Sequence, residues 1–341
     1  MLQAFKKQLL AFRALAPLTQ YNVAITLGSS GIDNYKWRGG VLANGCIYCI
    51  PCSSATVLKI DPAADTLTTF GNAGLSSYKW QSGILSPNGY IYGIPRNSST
   101  ILKINPNNDT LTTFGSVGGD VNKWYGVLAL NGDIYGIPYD STSILKVTTA
   151  DVATIFDNII GTAKWLGGVL APNGYIYGVP YTNTTILKIN PFNDSSTSFG
   201  NLVGITKWAG GVLAPNGKIY CIPYNSTTVL KIDPITDAIT TFGSLPGPDK
   251  WVGGVLAPNG YIYGIPYKST TILRIDPATD TATTFGGEQG YLDGDDKWFG
   301  GVLASNSMIY GVPYLSDTVL KIGTFVDTPP DLALSRAFNK F

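Results

Sequence analysis

The feature that most constrains this chain is a Lys-Trp pair that recurs seven times along it. Successive tryptophans are separated by 43, 44, 41, 43, 43 and 47 residues. They are Trp37, Trp80, Trp124, Trp165, Trp208, Trp251 and Trp298. A repeat of this length is typical of propeller blades or solenoid turns, in which each unit packs only on its neighbours. We therefore expect one array of similar units rather than several independent domains.

Each unit contains four short segments rich in β-branched and aromatic residues, which predict strands. In the clearest unit these segments are Gly253–Ala257, Tyr261–Pro266, Thr271–Ile275 and Thr281–Phe285. An Asn-Gly pair links the first two and is expected to supply the positive φ angles of a tight hairpin. An Asp-Pro-x-Thr-Asp phrase links the last two, and its proline presets the turn. Four antiparallel strands in each of seven units predict an all-β fold, a seven-bladed β-propeller.

The two ends of the array are predicted to complete one blade together. Residues 21–28 resemble the last strand of a unit, whereas the seventh unit stops after Ile322 without such a strand. We therefore expect Tyr21–Leu27 to pair antiparallel with Val319–Ile322, which would remove two exposed sheet edges. The propeller is then predicted to span residues 21–323.

The segments outside the propeller are predicted to form amphipathic arms. Residues 1–20 and 324–341 each carry apolar residues at helical spacing, so both arms are expected to be helical. The apolar residues are Leu2, Phe5, Leu9 and Phe12 in the first arm and Leu334, Phe338 and Phe341 in the second. One hypothesis is that these residues anchor the propeller to a protein partner or to a second copy. The alternative is that the arms pack on each other and on the rim.

Composition excludes some partners. Charged residues make up 13% of the chain and the net charge is +1, so no bulk attraction to nucleic acid is expected. No apolar run approaches the ~20 residues that a membrane span needs. Arg13 interrupts the apolar stretch near the N-terminus, which argues against a secretory signal, although a targeting role for residues 1–20 stays open. The localisation is therefore unknown, with a virion or the cytoplasm preferred.

The repeat resembles that of the virginiamycin B lyase-like seven-bladed propellers. The phrase NGxIY followed by ILKIDPxTDxxTTF occurs in similar form at Asn88–Phe114 and at Asn259–Phe285, and the resemblance covers residues 21–323. It implies the propeller fold. In that family it also implies a histidine general acid and a magnesium site, and this sequence contains no histidine to take the first role. A lyase reaction is therefore not carried over.

No catalytic, metal or cofactor site is predicted. Cys46, Cys49 and Cys52 imitate a metal-ligand spacing, but residues three apart on a strand point to opposite faces. Cys49 and Cys221 also occupy a position that holds glycine in the other five units, so they are interpreted as small residues in a tight slot without a disulfide. The loop containing Asp293, Asp295 and Asp296 offers oxygen ligands for calcium, but a solvated loop is favoured because no complete calcium-loop spacing is present.

One face of the propeller is predicted to gather the Lys-Trp pairs and a recurring tyrosine. The lysines are Lys36, Lys79, Lys123, Lys164, Lys207, Lys250 and Lys297, and the tyrosines are Tyr139, Tyr181, Tyr224, Tyr267 and Tyr314. A structural interpretation places the tryptophans between blades and lets the lysine amines extend along them into water. A functional hypothesis makes the same groups a binding ring for sugars or for an anionic partner.

These patterns favour a non-enzymatic scaffold or interaction module. The more specific hypothesis is a structural protein in a larger assembly, such as the capsid or tail of a virus or phage particle. It rests on the uncharged blades, the missing signal peptide and the two arms. The alternative is a glycan-binding repeat lectin, and a lyase-like enzyme comes third.

Overall fold

The computed structural model describes residues 20–31, 34–287 and 292–326. Within these ranges the chain forms 28 strands arranged in seven four-stranded antiparallel sheets, and it contains no helix. The predicted seven-bladed propeller is confirmed. The predicted helical arms have no support in this part of the chain, and nearly all their residues, including the seven proposed anchors, lie outside the described ranges.

The strands of blades 1 to 3 follow one another along the chain. Blade 1 consists of β2 (Trp37–Ala43), β3 (Cys46–Pro51), β4 (Val57–Asp61) and β5 (Thr66–Phe70). Blade 2 consists of β6 (Trp80–Leu85), β7 (Ile91–Pro95), β8 (Ile101–Asn105) and β9 (Thr110–Phe114). Blade 3 consists of β10 (Trp124–Leu128), β11 (Ile134–Pro138), β12 (Ile144–Val147) and β13 (Ala153–Phe156).

Blades 4 to 7 continue the series. Blade 4 consists of β14 (Trp165–Leu170), β15 (Ile176–Pro180), β16 (Ile186–Asn190) and β17 (Ser195–Phe199). Blade 5 consists of β18 (Trp208–Leu213), β19 (Ile219–Pro223), β20 (Val229–Asp233) and β21 (Ala238–Phe242). Blade 6 consists of β22 (Trp251–Leu256), β23 (Ile262–Pro266), β24 (Ile272–Asp276) and β25 (Thr281–Phe285). Blade 7 consists of β26 (Trp298–Leu303), β27 (Ile309–Pro313), β28 (Val319–Val326) and β1 (Gln20–Leu27).

Strands β1 and β28 close the ring as the sequence predicts. They pair antiparallel, with Leu27 opposite Val319 and Ala24 opposite Ile322. The pairing runs further than expected, to Gln20 opposite Val326, so residues 324–326 are strand and not part of an arm. The equivalent strands of blade 1 stop pairing at Asp61 and Thr66, where the Asp-Pro turn begins. Blade 7 has no such turn, and the ladder continues as a ribbon beyond the disc.

The hairpin between the first two strands of a blade differs from the expectation. Only blade 1 has positive φ at both residues of its Asn-Gly pair, 49° at Asn44 and 78° at Gly45. In blade 2, as in most other blades, a proline precedes the pair, and only the glycine has positive φ, 83° at Gly89. The longer loop closes with a hydrogen bond from the Gly89 amide to the Ser86 carbonyl. The extra residue changes the turn because hairpin length selects turn type.

The tryptophans occupy the predicted position in the core. Each is at most 4% exposed, and each indole Nε1 donates to a carbonyl in the loop between the second and third strands of its own blade. A Cβ atom at Gly136 would lie 2.9 Å from the Cβ of Trp124, so the recurring small residue makes room for the ring. Cys49 and Cys221 fill the same slot with no exposed surface. All four cysteines are free thiols.

The first strand of most blades carries a β-bulge just after its tryptophan. The register shifts between Trp and the second glycine in blades 1, 4, 5, 6 and 7. At the bulge Gly210 has a φ of 86°, and a Cβ there would lie 2.9 Å from the Cα of Gly253 in the next blade. The inner strands therefore approach closely around the axis, and the residue after each tryptophan is directed toward it.

No helix of the described residues has the length and apolarity needed to cross a membrane.

Candidate functional site

A closed belt of backbone hydrogen bonds organises the face that carries the Lys-Trp pairs. The amide of each pair's lysine donates to the residue after the proline of the preceding blade, and that lysine's carbonyl accepts from the equivalent residue of its own blade. The distances lie between 2.8 and 3.0 Å, from the Lys36 amide to the Tyr314 carbonyl and on around the ring. The belt fixes the residues at the tyrosine position on one mouth of the central axis. We call this surface the tyrosine face.

The seven lysines predicted to bind ligands lie in this belt and are at most 5% exposed. Their amines donate to backbone carbonyls at 2.6–3.0 Å. Most of these amines bind two carbonyl groups. The first belongs to a residue three to five positions earlier in the chain, and the second belongs to the preceding blade. The Nζ of Lys250, for example, lies 2.6 Å from the Gly247 carbonyl and 3.0 Å from the Ser226 carbonyl. These contacts connect each blade to the next.

Burial has an electrostatic effect on these lysines. It lowers the pKa of Lys79, Lys123, Lys164 and Lys207, and it lowers the pKa of Lys250 and Lys297 to about 8. The amines do not extend into water as the structural interpretation of the sequence expected. They are held against protein carbonyls instead, so the cationic binding ring stays a hypothesis that this geometry does not favour.

The predicted tyrosines form a continuous aromatic arc. Adjacent ring centroids are 5.8 Å apart for Tyr139 and Tyr181, 5.6 Å for Tyr181 and Tyr224, and 5.9 Å for Tyr224 and Tyr267. Tyr314 continues the arc at 6.3 Å from Tyr267. Burial raises the pKa of Tyr181 to about 12, so its hydroxyl stays neutral at physiological pH. The tyrosines therefore make one shared surface and not five separate sites.

Two further tyrosines that sequence reasoning missed extend this arc. Blades 1 and 2 have Cys52 and Arg96 where the others have tyrosine, and Tyr35 and Tyr78 occupy the space. Tyr35 lies 5.1 Å from Tyr314 and 5.4 Å from Tyr78, and the Arg96 guanidinium stacks 4.3 Å above Tyr78. The signal was available, because both tyrosines directly precede a Lys-Trp pair and only blades 1 and 2 have an aromatic residue there.

The residues that follow the seven tryptophans surround the axis beneath the arc. They are Arg38, Gln81, Tyr125, Leu166, Ala209, Val252 and Phe299, and all are buried. Sequence reasoning also missed this ring, although Arg38 is the one charged member of an otherwise uncharged repeat position. The Arg38 guanidinium lies 3.9 Å above the Phe299 ring and donates to the Tyr125 hydroxyl at 2.5 Å.

The rim of the tyrosine face carries acidic and basic groups in blades 5 to 7. Lys268 bridges Asp249 at 3.5 Å and Asp296 at 3.8 Å. Burial raises the pKa of Tyr224 and Tyr267, and these two carboxylates raise it further. The same face also exposes isolated apolar side chains in the loops between blades, which are Leu75, Val121, Ile160, Val203 and Ile205.

The Asp-Pro turns on the opposite face do more than close hairpins. In blade 4 the turn begins with Asn190 and ends with Asp194, which accepts from Lys146 at 2.7 Å and from Tyr135 at 2.5 Å, and both donors belong to blade 3. The same Lys-Asp contact occurs at six of the seven junctions between neighbouring blades. The pairs are Lys59–Asp109, Lys103–Asp151, Lys146–Asp194, Lys188–Asp237, Lys231–Asp280 and Lys321–Asp65. We call this set the inter-blade staple.

Metal and cofactor sites receive no support from the donor groups in the described ranges. No cluster of three or more cysteines, aspartates or glutamates among these residues could hold a metal ion. The predicted calcium alternative involves Asp293, Asp295 and Asp296, and part of that loop, residues 288–291, lies outside the described ranges. Asp296 instead approaches Lys268.

Comparison with known proteins places the fold among lyase-like propellers. Residues 167–320 match the family model of a repeat of unknown function, DUF6923, which spans less than half of the chain. No curated protein sequence matches this chain. A streptogramin B lyase structure is 14% identical with a TM-score of 0.75, covering 90% of this chain and 98% of the lyase. A catalytically inactive virginiamycin B lyase from Staphylococcus aureus with quinupristin is 12% identical with a TM-score of 0.76, covering 89% of this chain and 99% of the lyase.

The same architecture also occurs outside the lyases. The extracellular domain of a putative hybrid two component system from B. thetaiotaomicron is 12% identical with a TM-score of 0.66, and the match covers 89% of this chain and 43% of that one. At such low identity these likenesses establish the shared fold and leave activity open.

Proposed function

We propose that this protein is a non-enzymatic propeller that serves as an interaction module in a larger assembly, such as the capsid or tail of a virus or phage particle. The observation that carries the proposal is the β1–β28 ribbon. It continues three residue pairs past the point where the equivalent strands of blade 1 turn, on the face of the Asp-Pro turns. Gln20 and Val326, the last pair of this ribbon, therefore lie side by side on that face, which suits attachment there.

The absence of a poised catalytic group in the described residues supports a binding role. Acid–base catalysis needs a donor or acceptor that can reach a substrate and whose pKa suits the task. The buried lysine amines with lowered pKa already donate to backbone carbonyls, and the buried thiols of Cys49 and Cys221 have strongly raised pKa values. The sequence has no histidine to supply the general acid of the lyase-like propellers.

Exposed apolar side chains give the proposal a surface that can be tested. On the Asp-Pro face Leu130, Phe192 and Ile235 are 66%, 72% and 86% exposed in three successive blades. Isolated apolar residues are also exposed on the tyrosine face, so exposure alone does not select a side. The extension of the β1–β28 ribbon selects the Asp-Pro face.

The test compares two matched pairs of surface substitutions in the full chain. Phe192→Ser with Ile235→Ser alters the Asp-Pro face, and Leu75→Ser with Val203→Ser alters the tyrosine face by the same chemistry. We expect the full chain to co-purify with another protein, or with itself, in fixed stoichiometry. Only the first pair should weaken that association. If only the second pair of substitutions weakened the association, the interface would lie on the tyrosine face, which would contradict the proposal.

The glycan-binding alternative is favoured by one observation, the aromatic arc of the tyrosine face. Sugars stack on aromatic faces, and tyrosine adds a hydroxyl donor and acceptor. Because the tyrosine rings of the arc pack against one another, we would expect a lectin of this kind to bind sugar at one site on the axis and not at a repeated site in each blade. A glycan array with a hit that Tyr267→Ala abolishes would favour it over the assembly role.

A further inference from the structure

The axis of the tyrosine face contains a buried charge that the fold itself does not require. Arg38 is 9% exposed, and no acidic side chain of the described residues forms an ion pair with it. The other six blades fill the same position with uncharged residues of very different size, from Ala209 to Tyr125. Packing at the axis can therefore be achieved without a cation.

The surroundings of this guanidinium provide contacts but no negative charge. Nη2 donates to the Tyr125 hydroxyl at 2.5 Å, and the guanidinium carbon lies 3.9 Å above the Phe299 ring and 5.8 Å from the Tyr314 ring. The tyrosines nearest to it are Tyr125, Tyr267 and Tyr314, whose pKa values burial raises, so all three are neutral at pH 7. Arginine keeps its proton in proteins, so the charge stays.

Two buried polar atoms at this level have no hydrogen-bond partner. One is Nε of Arg38, and the other is Oε1 of Gln81, which belongs to the same ring in the adjacent blade. The Nε2 of Gln81 is engaged, because it donates to the Trp124 carbonyl at 2.7 Å. Most buried polar side-chain atoms in proteins are paired, so two unpaired atoms in one ring, one on a charged group, indicate a missing partner.

A second cation strengthens the positive potential at the same mouth. The Arg96 guanidinium lies against Tyr78, with Nη1 3.6 Å from the Cys52 sulfur and Nε donating to Asn122 at 2.9 Å. Among the acidic groups of this face, Asp249 and Asp296 stand at the rim and pair with Lys268. Asp140 follows Tyr139 and accepts from the Ala163 amide at 2.6 Å. None of these three carboxylates forms an ion pair with Arg38.

We propose that the axis of the tyrosine face is a binding site for a small carboxylate ligand. The carboxylate pairs with the unused N–H groups of Arg38, because the planar guanidinium fork matches a carboxylate in geometry and charge. The rings of Phe299 and Tyr314 shield this pair from water. The Oε1 of Gln81 accepts from a hydroxyl on the same ligand, which favours a hydroxy acid over a simple acid. This inference does not depend on the proposed assembly role.

The experiment follows the arginine side chains directly during titration of the full-length protein. The chain has five arginines, so their 15N–1H Nε signals can be assigned by single substitution. Glycolate, acetate, neutral glycolamide and chloride serve as probes. We expect the Arg38 signal to shift saturably with glycolate and with acetate, glycolate binding several-fold more tightly. The neutral amide should leave it unchanged.

Three variants test which side chains form the site. Arg38→Met should abolish saturable glycolate binding, whereas Arg274→Met, on the outer surface of blade 6, should retain it. Gln81→Met should remove the preference for glycolate over acetate without removing acetate binding. Absence of any saturable shift in the unmodified protein would overturn the proposal, even if Arg38→Met failed to fold. A response to chloride alone would overturn the carboxylate class.

Discussion

At the scale of single residues, the lysine of the Lys-Trp pair contributes more to structure than its charge suggests. The Lys250 amine donates to the carbonyls of Gly247, Ser226 and Tyr224, and the side chain is 4% exposed. An ion pair of an exposed lysine contributes little to stability. The Lys250 amine instead satisfies three backbone acceptors in two loops. Removing it would leave buried acceptors without partners, which costs more than the loss of a surface contact.

We expect Lys250→Met to lower the free energy of unfolding by about 2 kcal/mol. The variant loses hydrogen bonds from a charged donor, and it leaves buried carbonyl acceptors without a partner, and either effect has about this magnitude. Lys218→Met is the matched control, because the Lys218 side chain is 29% exposed and forms one ion pair, with Asp233. Surface pairs contribute about 0–1 kcal/mol. Urea unfolding of both variants measures the difference. Equal stability of the two variants would restore the hypothesis that Lys250 serves binding and not structure.

At the scale of elements, the strands were predictable and their lateral contacts were not. The period of the Lys-Trp pairs, the β-branched segments and the turn phrases determine blade number and strand order. The staple between Lys146 and Asp194 could not be read from the chain, because its partners lie 48 residues apart on different blades. The Asp-Pro-x-Thr-Asp phrase was already explained as a turn, and this local explanation concealed the second contact of its last aspartate. Likewise Arg38 reaches Tyr125 across 87 residues and the axis, a contact that no repeat pattern encodes.

The staple can be measured with a control that the chain itself provides. Lys59 contacts both carboxylate oxygens of Asp109, whereas Arg274 at the same repeat position contacts the Tyr261 ring and no carboxylate among the described residues. We expect Lys59→Met to lower the free energy of unfolding by about 1 kcal/mol, a charged hydrogen bond discounted for partial exposure. Arg274→Met should change it by less than about 0.5 kcal/mol. Equal decreases in the free energy of unfolding for the two variants would show that the ion pair between Lys59 and Asp109 does not stabilise the fold.

The staple also predicts a response to acid. Burial alone would raise the pKa of Asp65, Asp151 and Asp194, but hydrogen bonds from the neighbouring lysine and tyrosine outweigh it and lower the pKa. A carboxyl whose pKa is lowered in the folded state stabilises the protein above the ordinary aspartate pKa of about 3.9, and this stability is lost as the pH falls through the folded value. We expect the free energy of unfolding to decrease below about pH 4. Asparagine at all three positions should make that decrease shallower.

At the scale of the whole molecule, the stability of the ring depends on one strand pairing contributed by its two ends. Strand β1 is separated from β28 by almost the entire chain, yet it completes the seventh sheet as its outermost strand and pairs the edge that β28 would otherwise expose. The inner strands of blades 7 and 1 also pack together, so the array closes on itself. In an open array each end blade would lack one neighbour.

Two truncations distinguish closure from the contribution of the terminal arm. Removing residues 1–27 deletes β1 and exposes the edge of β28, and we expect the melting temperature to fall by ten degrees or more, roughly the loss of several kcal/mol in a protein of this size. Removing residues 1–19 retains every residue of β1, so the melting temperature should stay within about two degrees of the full chain. Differential scanning calorimetry measures both. If the two truncated chains melt together, β1 is not the closure of the ring and the seven blades must be held by the inner strands alone.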